Sequence, residues 1–221
     1  MRSREYDKTK IGGFQKFYKD IIKRFFDVLL SVFILIITSP LLLIGYIYIK
    51  TDTSGPALFT QERIGKHGEK FKIYKLRTMI MESHYSDGTK IRDRDRVTKS
   101  GKLIRKLSID ELPQLFNIIK GDMSFIGPRP LLIRYLPYYT NEEMRRHDVL
   151  PGITGLAQVN GRSYLRWEER FAYDVEYVDN ISFLNDIKII LKTIKIVITG
   201  EGTSAVRPPD LVDFDVHRQN K

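Results

Sequence analysis

The chain has 221 residues, 42% hydrophobic and 29% charged, which supports one folded domain with a substantial core and excludes wholesale disorder. It has no cysteine, which excludes a disulfide framework, thiolate catalysis, iron–sulfur clusters and Cys-ligated zinc. Lys and Arg outnumber Asp and Glu by 37 to 27, and the net charge of +10 points to phosphate-bearing partners: nucleic acid, an anionic membrane or a phosphorylated small molecule.

Residues 1–24 form a basic, amphipathic N-terminal segment. Within it, residues 10–24 place Phe14, Phe17, Tyr18, Ile21 and Ile22 on one helical face, which predicts an interfacial approach helix. A membrane helix follows over 25–50. Val28 to Ile49 carries no charge, and as a straight helix it is long enough, at roughly 33 Å, to cross a bilayer core. Ser39 and Pro40 fall in its middle. Proline removes one backbone hydrogen bond, and a serine hydroxyl can take up the freed carbonyl. Both flanks are basic, so the positive-inside rule keeps both ends cytoplasmic. A re-entrant helix broken at Ser39-Pro40 meets that rule, and a kinked spanning helix is the alternative.

Residues 51–200 are read as a cytoplasmic catalytic domain. ALFTQERI (57–64) and FKIYKLRT (71–78) flank GKHGEK and predict a β-hairpin. Residues 82–99 are a polar loop. Residues 101–120 read as two helical pieces, the second ended by Gly121. GPRP (127–130) is an extended turn, LPGITGLAQVNGR (150–162) a Gly-rich loop, and 166–178 a helix. Residues 183–199 set Ile187, Ile190, Leu191, Ile194 and Val197 opposite Lys188, Lys192 and Lys195. This is an interfacial helix or a core helix with a solvated lysine face. From 201 to 221 a loose polar tail is expected. The fold class is thus α+β, mainly helical, with a membrane-inserted N-terminal helix, and monotopic if that helix is re-entrant. The four histidines show no paired ligand spacing.

Asp110 and Glu111 are adjacent carboxylates among Lys102, Arg105 and Lys106. Pro113 fits only a first helical turn, which puts Asp110 near a helix start. One reading is structural: Asp110 caps the helix, or Ser108 and Glu111 form a capping box. The other is chemical: an ionised carboxylate acts as a nucleophile on phosphorus, and its neighbour holds Mg²⁺. Arg77, Arg105, Arg129 and Arg162 are candidate phosphate clamps. The Gly-rich loop, with Gln158 in it, is a further substrate-binding candidate.

FDVLLS…SPLLL, FTQERIG, FKIYKLRTM, LSIDELPQLFNIIKGDMSFIGPRP, PGITGLAQVNGR and YDVEYVDNIS together strongly resemble the bacterial sugar transferase family, the monotopic polyprenyl-phosphate phosphoglycosyl transferases, over about residues 20–200. The resemblance implies transfer of a sugar-1-phosphate from a UDP-sugar to a polyprenyl (undecaprenyl) phosphate with release of UMP, the first membrane step of glycan assembly. It implies that Asp110 is the nucleophile and forms a phosphosugar intermediate, that Glu111 serves Mg²⁺, and that the helix break falls at Ser39-Pro40. Arg129 and Arg162 match the family's GPRP and NGR arginines, and the chain looks like a minimal catalytic unit. The expected partners are the UDP-sugar, the lipid acceptor, membrane lipids and a second copy of the chain, without nucleic acid. A membrane-tethered nucleic-acid-binding or scaffold protein is the competing class. It lacks a recognisable motif here. A conventional glycosyltransferase releasing UDP is a third reading.

Overall fold

A computed structural model describes residues 16–82, 84–85, 87–89, 91–93, 95–161, 164–199 and 212–220. It is mainly helical with two small two-stranded sheets. Helix α1 (Lys23–Asp52) follows without a break from a π-helical turn, Tyr18–Ile22. The predicted approach helix does not keep one face: Tyr18 and Ile22 join the core, while Phe17 and Ile21 are exposed. Phe14 lies outside the described residues.

Pro40 does not interrupt α1. The proline removes the donor that the Ile36 carbonyl would have had, and Ser39 Oγ donates to that carbonyl at 2.8 Å. One residue earlier, Thr38 Oγ1 donates to the Ile34 carbonyl at 2.7 Å. The Ser39 hydroxyl thus takes up the carbonyl that proline leaves free, and the helix runs on to Asp52.

One side of α1 packs on the rest of the protein along its length. Near its start, Lys23 pairs with Asp186 at 2.8 Å, and Asp27 accepts from the Phe125 N–H at 3.2 Å. In the middle, Ile34 and Leu35 cover the cluster of Ile73, Leu115, Ile118 and Met123. At its end, Ile49 enters a cluster with Ala57, Leu76, Ile104 and Ile109, and Asp52 accepts from the Ser100 N–H at 2.8 Å. The other side is bare: Phe25, Leu29, Phe33, Ile36, Ile37, Leu43, Ile44 and Ile47 are all exposed. An uncovered apolar stripe this long is a membrane or partner surface, not a soluble exterior.

The hairpin forms as predicted, with β1 (Leu58–Ile64) antiparallel to β2 (Lys70–Leu76). Asn117, fully buried, joins β2 to the next helix. Its Oδ1 accepts from the Tyr74 N–H at 3.0 Å, and its Nδ2 donates to the Lys72 carbonyl at 2.7 Å. The two helical pieces are α2 (Lys99–Lys106) and α3 (Gln114–Lys120). Gly121 closes α3 at φ 97°, a left-handed cap that glycine adopts without steric cost.

A second sheet forms where no strand was predicted, between residues just before the GPRP turn and the start of the Gly-rich loop. Strand β3 (Ser124–Ile126) pairs in parallel with β4 (Gly152–Thr154). The chains then stay together: Gly127 N–H donates to the Thr154 carbonyl at 2.9 Å, and Gly152 N–H to the Pro128 carbonyl at 3.0 Å. A Cβ at Gly152 would lie 2.1 Å from the Gly127 nitrogen, so only glycine permits the crossing. After the short helices α4 (Asn141–Met144) and α5 (Leu156–Asn160) come α6 (Trp167–Asp179) and α7 (Phe183–Thr199). Helix α7 buries Asp186 and Ile189 and leaves Leu184, Leu191, Ile194, Val197 and Ile198 exposed.

The tail expected to be loose docks at its far end. Helix α8 (Phe214–Gln219) sinks Phe214, fully buried, among Tyr135, Tyr139, Trp167 and Phe171, with ring centroids 4.9–5.6 Å away. Residues 200–211 lie outside the described ones. Phe214→Ala is expected to cost about 3–5 kcal/mol in a denaturant or thermal melt, the usual range for a buried aromatic. A cost below about 1 kcal/mol would mean that α8 is an ornament.

Candidate active site

Asp110 and Glu111 lie in a single 3₁₀ turn, Ile109–Glu111, between α2 and α3. The chain reverses into it through Ser108, a non-glycine residue at φ 55°. Ile109 anchors the turn. Its side chain is buried with Ile49 of α1, and its Cγ2 lies 3.8 Å from where a Cβ at Gly45 would sit. The dyad is therefore seated one residue from direct contact with the last third of the apolar helix. The capping readings fail here: Ser108 makes no side-chain cap bond, and Pro113, not Asp110, is the residue that starts α3.

The two carboxylates have opposite electrostatics. Burial and the adjacent Glu111 push the Asp110 carboxyl above the usual aspartate range, against the opposing pull of Lys75 and Arg105. Burial also pushes Glu111 up, but the Arg129 and Lys75 charges and hydrogen bonds outweigh it and hold it at about 2. Lys75 Nζ lies 2.8 Å and Arg129 Nη2 3.4 Å from the same oxygen, Glu111 Oε1. The result is a glutamate whose ionised form is favoured and paired, beside an aspartate with raised basicity.

Glu111, Ser108, Arg63 and Arg129 lie on the wall of a cleft of about 1350 Å³. Arg63 has its guanidinium held below the usual arginine range, to about 10, by burial and by the nearby Arg129 charge. Its buried Nε has no hydrogen-bond acceptor. Arg63 Nη2 donates to Gln61 Oε1 at 2.6 Å, which leaves Nε and the charge of Arg129 as the features here that would favour an anion.

Of the predicted site residues, the structure brings together Asp110, Glu111 and Arg129. Arg105 stands by, its Nε donating to Thr78 Oγ1 at 2.8 Å and its charge acting on Asp110. Gln158 shares the cleft wall, with Oε1 buried and unpartnered while Nε2 donates to the Ile153 carbonyl at 3.2 Å. Arg77 is a correction. It is buried, with Nη1 donating to the Ser54 carbonyl at 2.6 Å and Nη2 to Thr53, so it clamps the exit of α1 instead of facing the cleft. Arg162 lies outside the described residues.

Lys75 and Arg63 were not anticipated. Lys75 had a signal: it shares strand parity with the core-facing Phe71 and Ile73, and a lysine on an apolar face needs a partner. Arg63 had none: its strand is bridged to Leu132, a residue far along the chain.

The model of the family described as bacterial sugar transferase matches residues 18–200. The "Uncharacterized sugar transferase EpsL" of Bacillus subtilis is 50% identical over 182 residues, covering 82% of this chain and 90% of that protein. The "UDP-glucose:undecaprenyl-phosphate glucose-1-phosphate transferase" of Caulobacter vibrioides is 40% identical, covering 83% of this chain and 72% of that protein. The "Undecaprenyl-phosphate galactose phosphotransferase" of Salmonella typhimurium is also 40% identical, and there the chain spans 41% of the relative's length.

Proposed function

The chain belongs to the bacterial sugar transferase family, and from that premise we propose that it moves a sugar-1-phosphate from a UDP-sugar to a polyprenyl phosphate and releases UMP. The observation that carries this reading is the uncapped, half-buried Asp110 beside a Glu111 neutralised by Lys75 and Arg129. An oxygen of Asp110 attacks the sugar-bearing phosphorus of the donor, and the phosphoanhydride P–O bond breaks to give UMP. A phosphosugar is left on Asp110. An oxygen of the acceptor phosphate then attacks the same phosphorus, and the Asp110–phosphorus bond breaks, restoring the carboxylate. Phosphoryl transfer of this kind demands positioning and charge neutralisation, which Arg129, Arg63 and Lys75 supply.

Magnesium suits this pair of carboxylates. Lys75 and Arg129 both bind Glu111 Oε1, and Oε2 has no hydrogen-bond partner among the described residues. No cluster of three or more candidate ligands exists among them, so Glu111 and Asp110 would hold the ion together with substrate phosphates and water, a set that Mg²⁺ accepts. When bound, it would neutralise phosphate oxygen charge.

Asp110 must be ionised to attack. UMP release is therefore expected to fall as pH drops through its raised pKa, above the ordinary 3.8. Lys75→Met removes a charge that lowers this pKa and should move the acid limb to higher pH. Glu111→Gln removes one that raises it and should move the limb lower. Limbs that stay put in both variants would take Asp110 out of the titrating step.

The membrane arrangement proposed is monotopic, with the dyad on the cytoplasmic face. Its support is that both ends of α1 are bonded into one protein body, through Lys23 and Asp27 at one end and Asp52 at the other. An arrangement with both ends of α1 on one face of the membrane requires such a tie. The chain has no native cysteine, so Lys16→Cys and Lys50→Cys report each end alone. Both should react with an impermeant thiol reagent only from the cytoplasmic side. Ser39→Leu with Pro40→Ala should raise periplasmic labelling at Lys16→Cys. Labelling from opposite sides without those changes would make the helix a span.

The test of the reaction is to offer a panel of UDP-sugars with undecaprenyl phosphate and Mg²⁺, and to quantify UMP separately from UDP. UMP is expected with at least one sugar. UDP in its place would mean direct glycosyl transfer.

A further inference from the structure

Helix α8 lies beyond residues 18–200, the stretch that the family model matches, and its attachment leads back to the site. Phe214 packs on Tyr139 and Phe171, with ring centroids 5.2 and 4.9 Å away. Those are the two rings that face the Arg146 guanidinium, at 5.8 and 5.4 Å, and Arg146 Nη1 donates to Tyr139 Oη at 3.3 Å. Arg146 Nη2 donates in turn to the Arg129 carbonyl at 2.8 Å, and Arg129 pairs with Glu111. A second line runs through Arg134, which pairs with Asp213 and, at 3.2 Å, with Asp215. Between Arg129 and Arg134 the chain is tied to the strand of Arg63: Leu132 bridges Arg63, and the Ile64 N–H donates to the Leu131 carbonyl at 3.0 Å. Residues 129–134 thus carry one guanidinium of the site, abut the strand that carries another, and are gripped at the far end by α8.

We propose that Phe214 is a positioning residue: docked α8 sets the backbone that aims Arg129 and Arg63, and with it the affinity for the phosphates of the donor. This rests on the reaction proposed above and adds a remote determinant of donor binding. A helix of six residues is too short to persist alone, so tertiary contacts hold α8 in place. Those contacts are one fully buried aromatic and polar links at the rim: Arg134 with Asp213 and Asp215, His217 with Glu168, and Arg218 with Glu143. Partly solvated pairs contribute little, so most of the docking rests on Phe214. Docked and undocked α8 are two discrete states, and Arg146 is the contact through which they differ at Arg129. Such coupling is reciprocal: the donor must tighten docking by the factor by which docking tightens donor binding.

Trp167, the only tryptophan in the chain, reports the docked state directly, because it is buried against Phe214 and its Nε1 donates to the Val212 carbonyl at 3.0 Å. Phe214→Ala should shift its emission to the red and raise the donor KM for UMP release about fivefold or more, measured well below the thermal midpoint. Saturating UDP-sugar should return the emission toward the blue. Phe214→Met keeps most of the volume and should stay within about twofold of the wild-type KM, with little shift in emission. Ile181→Ala empties a buried site in the separate cluster around Tyr18 and Tyr177, and should destabilise the protein without moving the donor KM. Where Phe214→Ala does not fold, Arg134→Glu sets a third carboxylate against Asp213 and Asp215, and should produce the same red shift and the same rise in KM. A red-shifted variant with the wild-type donor KM overturns the proposal. So does an equal rise in Ile181→Ala, which would mean general loosening. A wild-type protein that releases no UMP with any donor would instead overturn the reaction on which the proposal rests, with the Trp167 shift in Phe214→Ala still standing.

Discussion

Asp110→Asn is expected to abolish UMP release, by about 10⁴-fold or more, the scale on which removing a nucleophile acts. The substitution is nearly isosteric and removes the carboxylate proposed to attack phosphorus. It should not weaken the fold. The folded state raises this carboxyl's pKa, so ionised Asp110 is less favourable folded than unfolded, and its destabilising contribution is fully present once pH exceeds the folded value. Removing the charge relieves burial and the repulsion from Glu111. The thermal midpoint at neutral pH should therefore stay level or rise while activity disappears, the signature of a site held for chemistry at a cost in stability. An inactive variant with a midpoint many degrees lower would point to a structural role. A fully active one would remove Asp110 from the mechanism.

Arg146→Met is expected to cost about 3–5 kcal/mol, the penalty for leaving one member of a buried pair alone. Arg146 and Asp174 are both about 98% hidden from solvent, joined by Nε at 3.0 Å and Nη2 at 2.8 Å to one oxygen. The guanidinium also lies 5.4 Å from the centre of the Phe171 ring and 5.8 Å from that of Tyr139. The burden falls on Asp174, whose carboxyl is already pushed upward by burial against the pull of Arg146. A functional consequence is built in. Arg146 Nη2 donates to the carbonyl of Arg129 at 2.8 Å and so fixes the turn that aims Arg129 at Glu111. Arg146→Met should thus lose activity beyond its unfolded fraction, with a raised donor KM. Replacing Arg146 and Asp174 together by Met and Leu should recover much of the stability and little of the activity. Recovery of both would confine the pair to a packing role.

The dyad, the hairpin, the apolar helix and the helix ended by Gly121 were legible because each writes a local pattern: adjacent acids before a proline, period-two alternation, an uncharged run, a glycine stop. The β3–β4 sheet was not. Three-residue strands carry no period, and their pairing joins Ser124–Ile126 to Gly152–Thr154 across more than twenty residues. That pairing is what carries Arg129 to Glu111, so the predicted partners were named without the means of bringing them together. Arg77 misled because sequence cannot tell a buried guanidinium spent on carbonyls from one facing a ligand. Phe214 is an isolated aromatic in a polar stretch, and only the cage of rings that receives it explains why the tail docks.

The most direct measurement is intact-mass analysis of the protein mixed with UDP-sugar and Mg²⁺ in the absence of lipid acceptor. The expected result is one UMP released per enzyme, a mass increase of one phosphosugar located on the peptide containing Asp110, and loss of that adduct when polyprenyl phosphate is added. UMP that appears only after the acceptor is added, with no adduct at any time, would contradict the covalent role of Asp110.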